Sequence, residues 1–205
     1  MKDNYVLYSG GYDSTVLFEL LKKKGLEPKI AFVILQHFDH SFINEADAKF
    51  VRDKIMKGFV VDKCILGYAD NRLDDAYTPC RNINLVLGLV NKIYPKPANI
   101  YIGLIKTQET YSDTTEEWVE AVNAYLKVEF GDKYKVFAPF IDKTKDEVYR
   151  IGCSLKVKLE DTFSCNFADE KGNPCGKCGD CEWRNKQKFP IYATKNEMEE
   201  LLCLD

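Results

Sequence analysis

The chain has 205 residues, enough for one domain with a substantial buried core. With 45% hydrophobic residues, 30% charged residues and a formal net charge of −3, it reads as a water-soluble globular protein. It lacks the basic balance expected of a protein that grips nucleic acid. No leader-like segment precedes the first apolar run, and no stretch is long enough to span a bilayer, so a cytoplasmic protein with no membrane partner is expected.

Strand and helix patterns alternate along the chain. An apolar run predicts a first strand at Tyr5–Tyr8, and Val16, Leu17, Leu20 and Leu21 predict a helix over Ser14–Lys24, stopped by Gly25. A β-branched and aromatic run gives strand two at Lys29–Leu35. Helical spacing of Ala46, Phe50, Val51 and Ile55 gives a helix at Glu45–Lys57, and Val60–Leu66 is strand three. Pro79 precedes a helix that starts near Asn82; its Leu85–Ile93 stretch is apolar almost all round, which fits burial on several sides or a subunit interface. Asn99–Leu104 is strand four, Asp113–Val128 a helix capped by Ser112 or Asp113, Lys135–Phe137 strand five, and Thr144–Ile151 a helix ending at Gly152. The alternation predicts an α/β fold with a parallel five-stranded sheet and helices on both faces, ligands lying at the carboxyl ends of the strands. From about Lys156 it stops, leaving a cysteine-rich loop and two short helices. Residues 1–155 therefore form the sheet domain and residues 156–205 a small C-terminal lobe of the same unit.

Two constellations carry chemistry by themselves. Ser9-Gly10-Gly11-Tyr12-Asp13-Ser14-Thr15 joins the first strand to the first helix, which aims backbone N–H groups and a helix N-terminus at one spot suited to phosphate. The glycines allow close backbone approach, Ser9, Ser14 and Thr15 add hydroxyls, and Asp13 sets a carboxylate where Mg²⁺ could bridge phosphates. No Walker sequence is present. The second constellation is Cys165 with Cys175-x₂-Cys178-x₂-Cys181, half of the eight cysteines. Four thiolates suit a closed, structural Zn²⁺ site that substitutes for a core in a lobe poor in apolar residues. An iron–sulfur cluster and metal-free thiols are the alternatives. Cys64 and Cys153 read as buried small hydrophobes and Cys203 as terminal packing. His37 and His40, flanking Asp39, fit metal or acid–base roles, though paired loop histidines are more often plain surface residues. Arg81 at a helix entrance could meet phosphate or carboxylate, and the polar loop within residues 102–114 follows strand four.

The Ser9–Ser14 string resembles the SGGxDS loop of the ATP-pyrophosphatase (PP-loop) enzymes, which adenylate a substrate oxygen and release pyrophosphate. The motif order across most of the chain resembles the 7-cyano-7-deazaguanine synthase family: the SGGxDST loop, a VPGRN-like segment (TPCRN, residues 78–82), a G…YPDC-like loop (Gly103 and Tyr111-Ser112-Asp113-Thr114), an IDK-like segment (Ile141-Asp142-Lys143), and Thr162-Phe163-Ser164-Cys165 before the Cys175–Cys181 cluster. The resemblance implies an adenine nucleotide alpha hydrolase-like fold and a Mg²⁺- and ATP-dependent carbon–nitrogen ligase in queuosine biosynthesis. It would turn 7-carboxy-7-deazaguanine and ammonia into the nitrile through adenylate and amide. It implies Tyr8, Ser9, Gly10, Gly11, Tyr12, Asp13, Ser14, Thr15, Val16, Leu17 and Phe18 as the ATP loop. Asp13, Ser14, Arg81 and Lys143 would carry catalysis, Arg81, Asn82, Tyr111 and Asp113 substrate contacts, and Cys165, Cys175, Cys178 and Cys181 zinc. A homodimer follows from the resemblance and the apolar helix.

Departures from the pattern fall on the substrate side. LQHFDH (35–40) stands where a DYGQ-like segment is expected, Cys80 replaces a glycine, and Ser112 and Thr114 replace the proline and cysteine of YPDC. Synthase-like proteins also occur in antiphage gene clusters, so a divergent ligase that stops at the amide or conjugates the deazaguanine carboxylate to another amine, such as a protein acceptor, is the alternative. A PP-loop tRNA-modifying enzyme is countered by the acidic balance. A non-enzymatic zinc-ribbon adaptor is countered by the intact Ser9–Ser14 loop.

Overall fold

The structure, a computed structural model, describes residues 2–37, 64–68, 80–106, 111–165, 167–169 and 172–203. The elements are β1 (Asp3–Leu7), α1 (Tyr12–Lys23), β2 (Pro28–Ala31), β3 (Val33–His37), β4 (Cys64–Tyr68), α2 (Arg81–Ile93), β5 (Ala98–Ile102), α3 (Glu116–Phe130), β6 (Tyr134–Phe137), α4 (Lys145–Ser154), α5 (Gly179–Lys186) and α6 (Lys195–Cys203). Four strands form a parallel sheet in the order β2-β1-β5-β6, and β3 and β4 form a separate parallel pair.

The expected five-stranded sheet is thus corrected among the described residues to four strands plus a pair. The single strand expected at Lys29–Leu35 is two, divided at Phe32, and its second half pairs with β4 instead of the main sheet. A continuous apolar run carries no mark of where a ladder changes partner, so periodicity cannot reveal the break. The expected helix at Glu45–Lys57 lies outside the described residues.

Side chains alternate across the main sheet as the pleat requires. Val6 and Tyr101 face α1, α4 and Leu201 of α6; Tyr5, Leu7, Ile100 and Ile102 face α2 and α3. Helices therefore cover both faces. The apolar α2 buries Val86, Leu89, Val90 and Ile93 and also packs on β3 and β4.

Helix ends follow local chemistry with two corrections. Gly25, at φ +81°, closes α1 as expected: Leu26 N–H donates to Leu21 O (3.0 Å) and Gly25 N–H to Lys22 O (3.0 Å). The helix expected from Asp113 instead starts at Glu116, where Thr115 Oγ1 accepts from Trp118 N–H (3.2 Å). Ser112, Asp113 and Thr115 are all good caps; Asp113 is instead buried, with its carbonyl accepting from Asn82. Gly152, expected to end α4, lies inside it: a Cβ there would meet Val16 Cγ2 at 2.6 Å, so glycine is what lets α4 approach α1. Cys203, expected in packing, is exposed because α6 turns Leu201 inward.

Candidate active site and cysteine centre

The chain runs from β1 to β2 on one side and from β5 to β6 on the other, so the strand order reverses between β1 and β5. A crevice forms at the carboxyl ends of strands at such a switch point. The Ser9–Asp13 turn leaves β1 there, and a Cβ on Gly103, just after β5, would lie 3.4 Å from Asp13 C and Ser14 N. Gly103 thus seats the start of α1 directly on the end of β5.

Hydrogen bonds link the residues of the turn. Gly10 takes φ +79°, a left-handed conformation that glycine adopts without strain. Gly11 N–H donates to Ser9 Oγ (3.2 Å), Ser9 N–H contacts Ser14 Oγ (3.3 Å), and the Ser14 and Thr15 hydroxyls donate to Gly11 O (3.0 and 2.9 Å). Tyr8 Oη and Thr15 Oγ1 are 3.0 Å apart. Gly11 is the N-cap of α1 and offers no side-chain cap, so the helix presents first-turn N–H groups and its positive dipole end, with Asp13 as the acidic residue of that turn. The expected loop residues divide by direction. Ser9, Gly10, Gly11, Asp13 and Ser14 shape the crevice, whereas Tyr12, Val16 and Leu17 are fully buried and Phe18 nearly so. Their side chains serve the core, and Tyr12 Oη donates to Tyr149 O (3.2 Å).

Asp13 is the charged centre of the turn. Its Oδ2 accepts from Lys145 Nζ (3.2 Å), while its Oδ1 is buried without a hydrogen-bond partner. Burial raises its pKa, opposed by the Lys145 ammonium. Lys145 also donates to Asp180 Oδ1 (2.9 Å) and lies over the Trp183 ring, 5.0 Å from its centroid. Burial works against its charge, but the two carboxylates outweigh it and raise its pKa. The sequence reading missed Lys145, choosing Lys143. Lys143 Nζ pairs with Asp142 (2.9 Å), and its carbonyl accepts from Lys106 N–H (2.8 Å).

On the substrate side, Cys80 takes the left-handed φ of +61° at the entrance to α2, and Arg81 is exposed on its first turn. Asn82 is buried and its Nδ2 donates to Asp113 O (3.0 Å), which brings two predicted substrate residues together from elements far apart in sequence. Thr114, in place of the family's cysteine, closes the turn by donating through Oγ1 to Tyr111 O (2.9 Å). His37 ends β3, and His40 and residues 107–110 lie outside the described residues.

The sulfurs of Cys165, Cys175, Cys178 and Cys181 all lie within 4.8 Å of one another. Tetrahedral bonds of about 2.3 Å place thiolates about 3.8 Å apart, so the four fit one ion. Backbone N–H groups already point at sulfur: Cys175 N–H at Cys165 (3.2 Å), Phe167 N–H at Cys165 (3.4 Å) and Cys178 N–H at Cys175 (3.3 Å). Backbone hydrogen bonding, chiefly from Lys177, lowers the Cys175 pKa to about 6, while burial pushes Cys181 up to about 12. A cation is what lets the buried thiol ionise beside the others. Arg184 of α5 clamps the segment leading to Cys165, donating to Leu159 O (2.6 Å), Thr162 O (2.8 Å) and Thr162 Oγ1 (3.0 Å).

The chain is similar to several known proteins. The U34-tRNA thiolase NcsA from Methanococcus maripaludis, solved with its 4Fe-4S cluster, aligns at a TM-score of 0.42 and 14% identity over 98% of this chain, which spans 64% of that one. The 7-cyano-7-deazaguanine synthase of Methanocaldococcus jannaschii is 30% identical over 222 residues, covering 92% of this chain and 95% of its own. That of Cupriavidus pinatubonensis is 28% identical over 207 residues, covering 87% and 89%. The model of the queuosine biosynthesis protein QueC matches residues 34–190. That match spans most of the chain and includes the four cysteines, and with the M. jannaschii relative it shows that the chain belongs to the QueC family.

Proposed function

We propose that the chain is an ATP-dependent carbon–nitrogen ligase that converts 7-carboxy-7-deazaguanine and ammonia to 7-cyano-7-deazaguanine. The observation that carries this reading is the buried, unpaired Oδ1 of Asp13 beside a glycine-bearing turn at the switch point. A carboxylate oxygen is a poor leaving group. In the proposed reaction it attacks the α-phosphorus of ATP, the α–β bond breaks and pyrophosphate leaves. Ammonia then displaces AMP and loses a proton to give the amide. The amide oxygen attacks the α-phosphorus of a second ATP, pyrophosphate leaves again, and loss of AMP and both N–H protons leaves the nitrile.

The residues act mainly by position and charge. Gly10, Gly11 and the first turn of α1 receive the phosphates, with Ser9 and Ser14 hydroxyls alongside. Arg81 and Lys143 are assigned to phosphate, and Asn82, Tyr111 and Asp113 to the deazaguanine. Mg²⁺ held by Asp13 would supply charge neutralisation on the phosphates. The thiolate set has no open position, so Zn²⁺ there would be structural; a cubane with its own irons and sulfides would need the sulfurs farther apart. The enzyme is assigned to the cytoplasm as a homodimer.

The test is a mass-spectrometric time course with ATP, Mg²⁺, 7-carboxy-7-deazaguanine and ammonium. AMP and pyrophosphate should form, with amide rising and then falling as nitrile accumulates. Asp13→Ala should cut turnover by about 10²–10³-fold. ADP and phosphate as primary products would refute the reading. Amide that persists with ATP in excess, or deazaguanine mass on a polypeptide, would replace the nitrile with the amide or conjugate.

A further inference from the structure

We infer that Lys145 is a positioning residue that fastens the Asp13 carboxylate to the cysteine lobe, so that the lobe sets the geometry of the Ser9–Ser14 turn. The inference borrows from the proposed function only the importance of Asp13.

Three observations carry it. First, one ammonium joins Asp13 Oδ2 at 3.2 Å to Asp180 Oδ1 at 2.9 Å. The side chains of Lys145, Asp13 and Asp180 are 25%, 21% and 26% exposed, so solvent does not screen this bridge as it screens a surface pair. Second, the bridge is held laterally. Trp183 lies under the ammonium at 5.0 Å and is itself fixed, because its Nε1 donates to Asp146 Oδ1 (2.8 Å) and its ring packs edge-on against Tyr149 at 5.7 Å. Third, the turn has a second tie to the same lobe: Phe163 N–H donates to Gly10 O at 3.0 Å. Asp180 lies between Cys178 and Cys181, and Phe163 lies two residues before Cys165. Both ends of the turn, Gly10 and Asp13, are therefore tied to backbone that the cysteine cluster orders.

Within the turn, the hydrogen bonds run among Ser9, Gly11, Ser14 and Thr15 and leave out the Asp13 side chain. Its aim comes from Lys145, which comes from α4, and Lys145 is aimed in turn by α5.

The experiment is hydrogen exchange by mass spectrometry on the purified metal-loaded protein, comparing wild type, Lys145→Gln, Asp180→Asn, the double variant and Lys145→Arg. Each single variant should speed exchange in the peptide spanning residues 8–18 by about tenfold, the size expected from losing one charge-assisted hydrogen bond. Exchange in α3 should stay unchanged, and so should metal content. The double variant should add little to either single one, because the two act in series. Lys145→Arg, whose fork can still reach both carboxylates, should restore most of the protection. Unchanged exchange over residues 8–18, or an equal rise throughout the chain, would overturn the inference. If Lys145→Gln does not fold, Asp180→Asn decides by the same readout. No nucleotide is used, so a wild-type protein without turnover would sink the proposed function and leave this result standing.

Discussion

Cys80 enters α2 in the left-handed region, at φ +61° and ψ 16°, where a glycine is expected from the family pattern. A side chain there costs about 1–2 kcal/mol, of which glycine's larger unfolded-state freedom returns about 0.5–1. Cys80→Gly should therefore stabilise the protein by about 0.5–1 kcal/mol, and Cys80→Ala, which removes the thiol but keeps the Cβ, should not. Denaturant midpoints of the two variants check this, and equal midpoints would refute it. The residue scale also shows what a sequence conceals. The Ser9–Ser14 turn is legible because its chemistry is contained in one short string. Lys145 is not: it meets Asp13 across 132 positions. Nothing in Asp142-Lys143-Thr144-Lys145 says which lysine faces the site until Thr144 is known to cap α4 and so sets the phase of the helix.

At the scale of the element, α4 is where local and tertiary signals meet. Thr144 and Glu147 form a reciprocal capping box, Thr144 N–H donating to Glu147 Oε2 (2.7 Å) and Glu147 N–H to Thr144 Oγ1 (3.3 Å). The bonds from the Thr144 backbone and hydroxyl hold the Glu147 carboxyl below its ordinary range. A folded-state pKa that is depressed adds stability above the unfolded value, and this stability is lost as pH falls through the folded one. The stability gap between wild type and Glu147→Gln should be full at neutral pH and should close below about pH 4.3. Paired denaturation curves across that range test it, and a pH-independent gap would count against it. Gly152 carries the opposite lesson. Its glycine reads as a helix stop, yet it is a contact with Val16 that only the packed helices reveal. Gly152→Ala should destabilise by about 1–2 kcal/mol, since overpacking of about 1–3 outweighs alanine's helix preference of up to about 1. A midpoint at or above wild type would show that α1 and α4 can separate freely. Helices were legible from apolar spacing. The division of one apolar run into β2 and β3 was not, because the partner strand, and not the run, determines it.

At the scale of the molecule, the sheet and the cysteine-bearing segment differ in what holds them. The sheet has two apolar cores, one on each face, with Val6, Leu17 and Phe140 in one and Leu89, Ile100 and Leu126 in the other. The segment from Leu159 to Lys186 has little of this: Cys165 and Cys181 are among its few buried side chains, and Arg184 joins its two halves through main-chain carbonyls. Such a segment needs an ion at its cysteines in place of a core. The purified protein should hold about one zinc per chain, the count four thiolates satisfy. Cys178→Ser should lose that zinc, because it removes one of the four clustered sulfurs. The consequences should be unequal. Without the ion, α5 loses its anchor, and with it Trp183 loses its seat between Tyr12 and Tyr149. In a Trp118→Phe background, where Trp183 is the only tryptophan, its emission should shift to the red on zinc removal, and proteolysis should open within residues 157–186. The strand-borne far-ultraviolet signal should persist, since neither core includes the four clustered cysteines. Elemental analysis finding no zinc, or iron with sulfide in its place, would end the metal assignment. Zinc loss that unfolds sheet and lobe together would show that the two apolar cores cannot stand without the lobe.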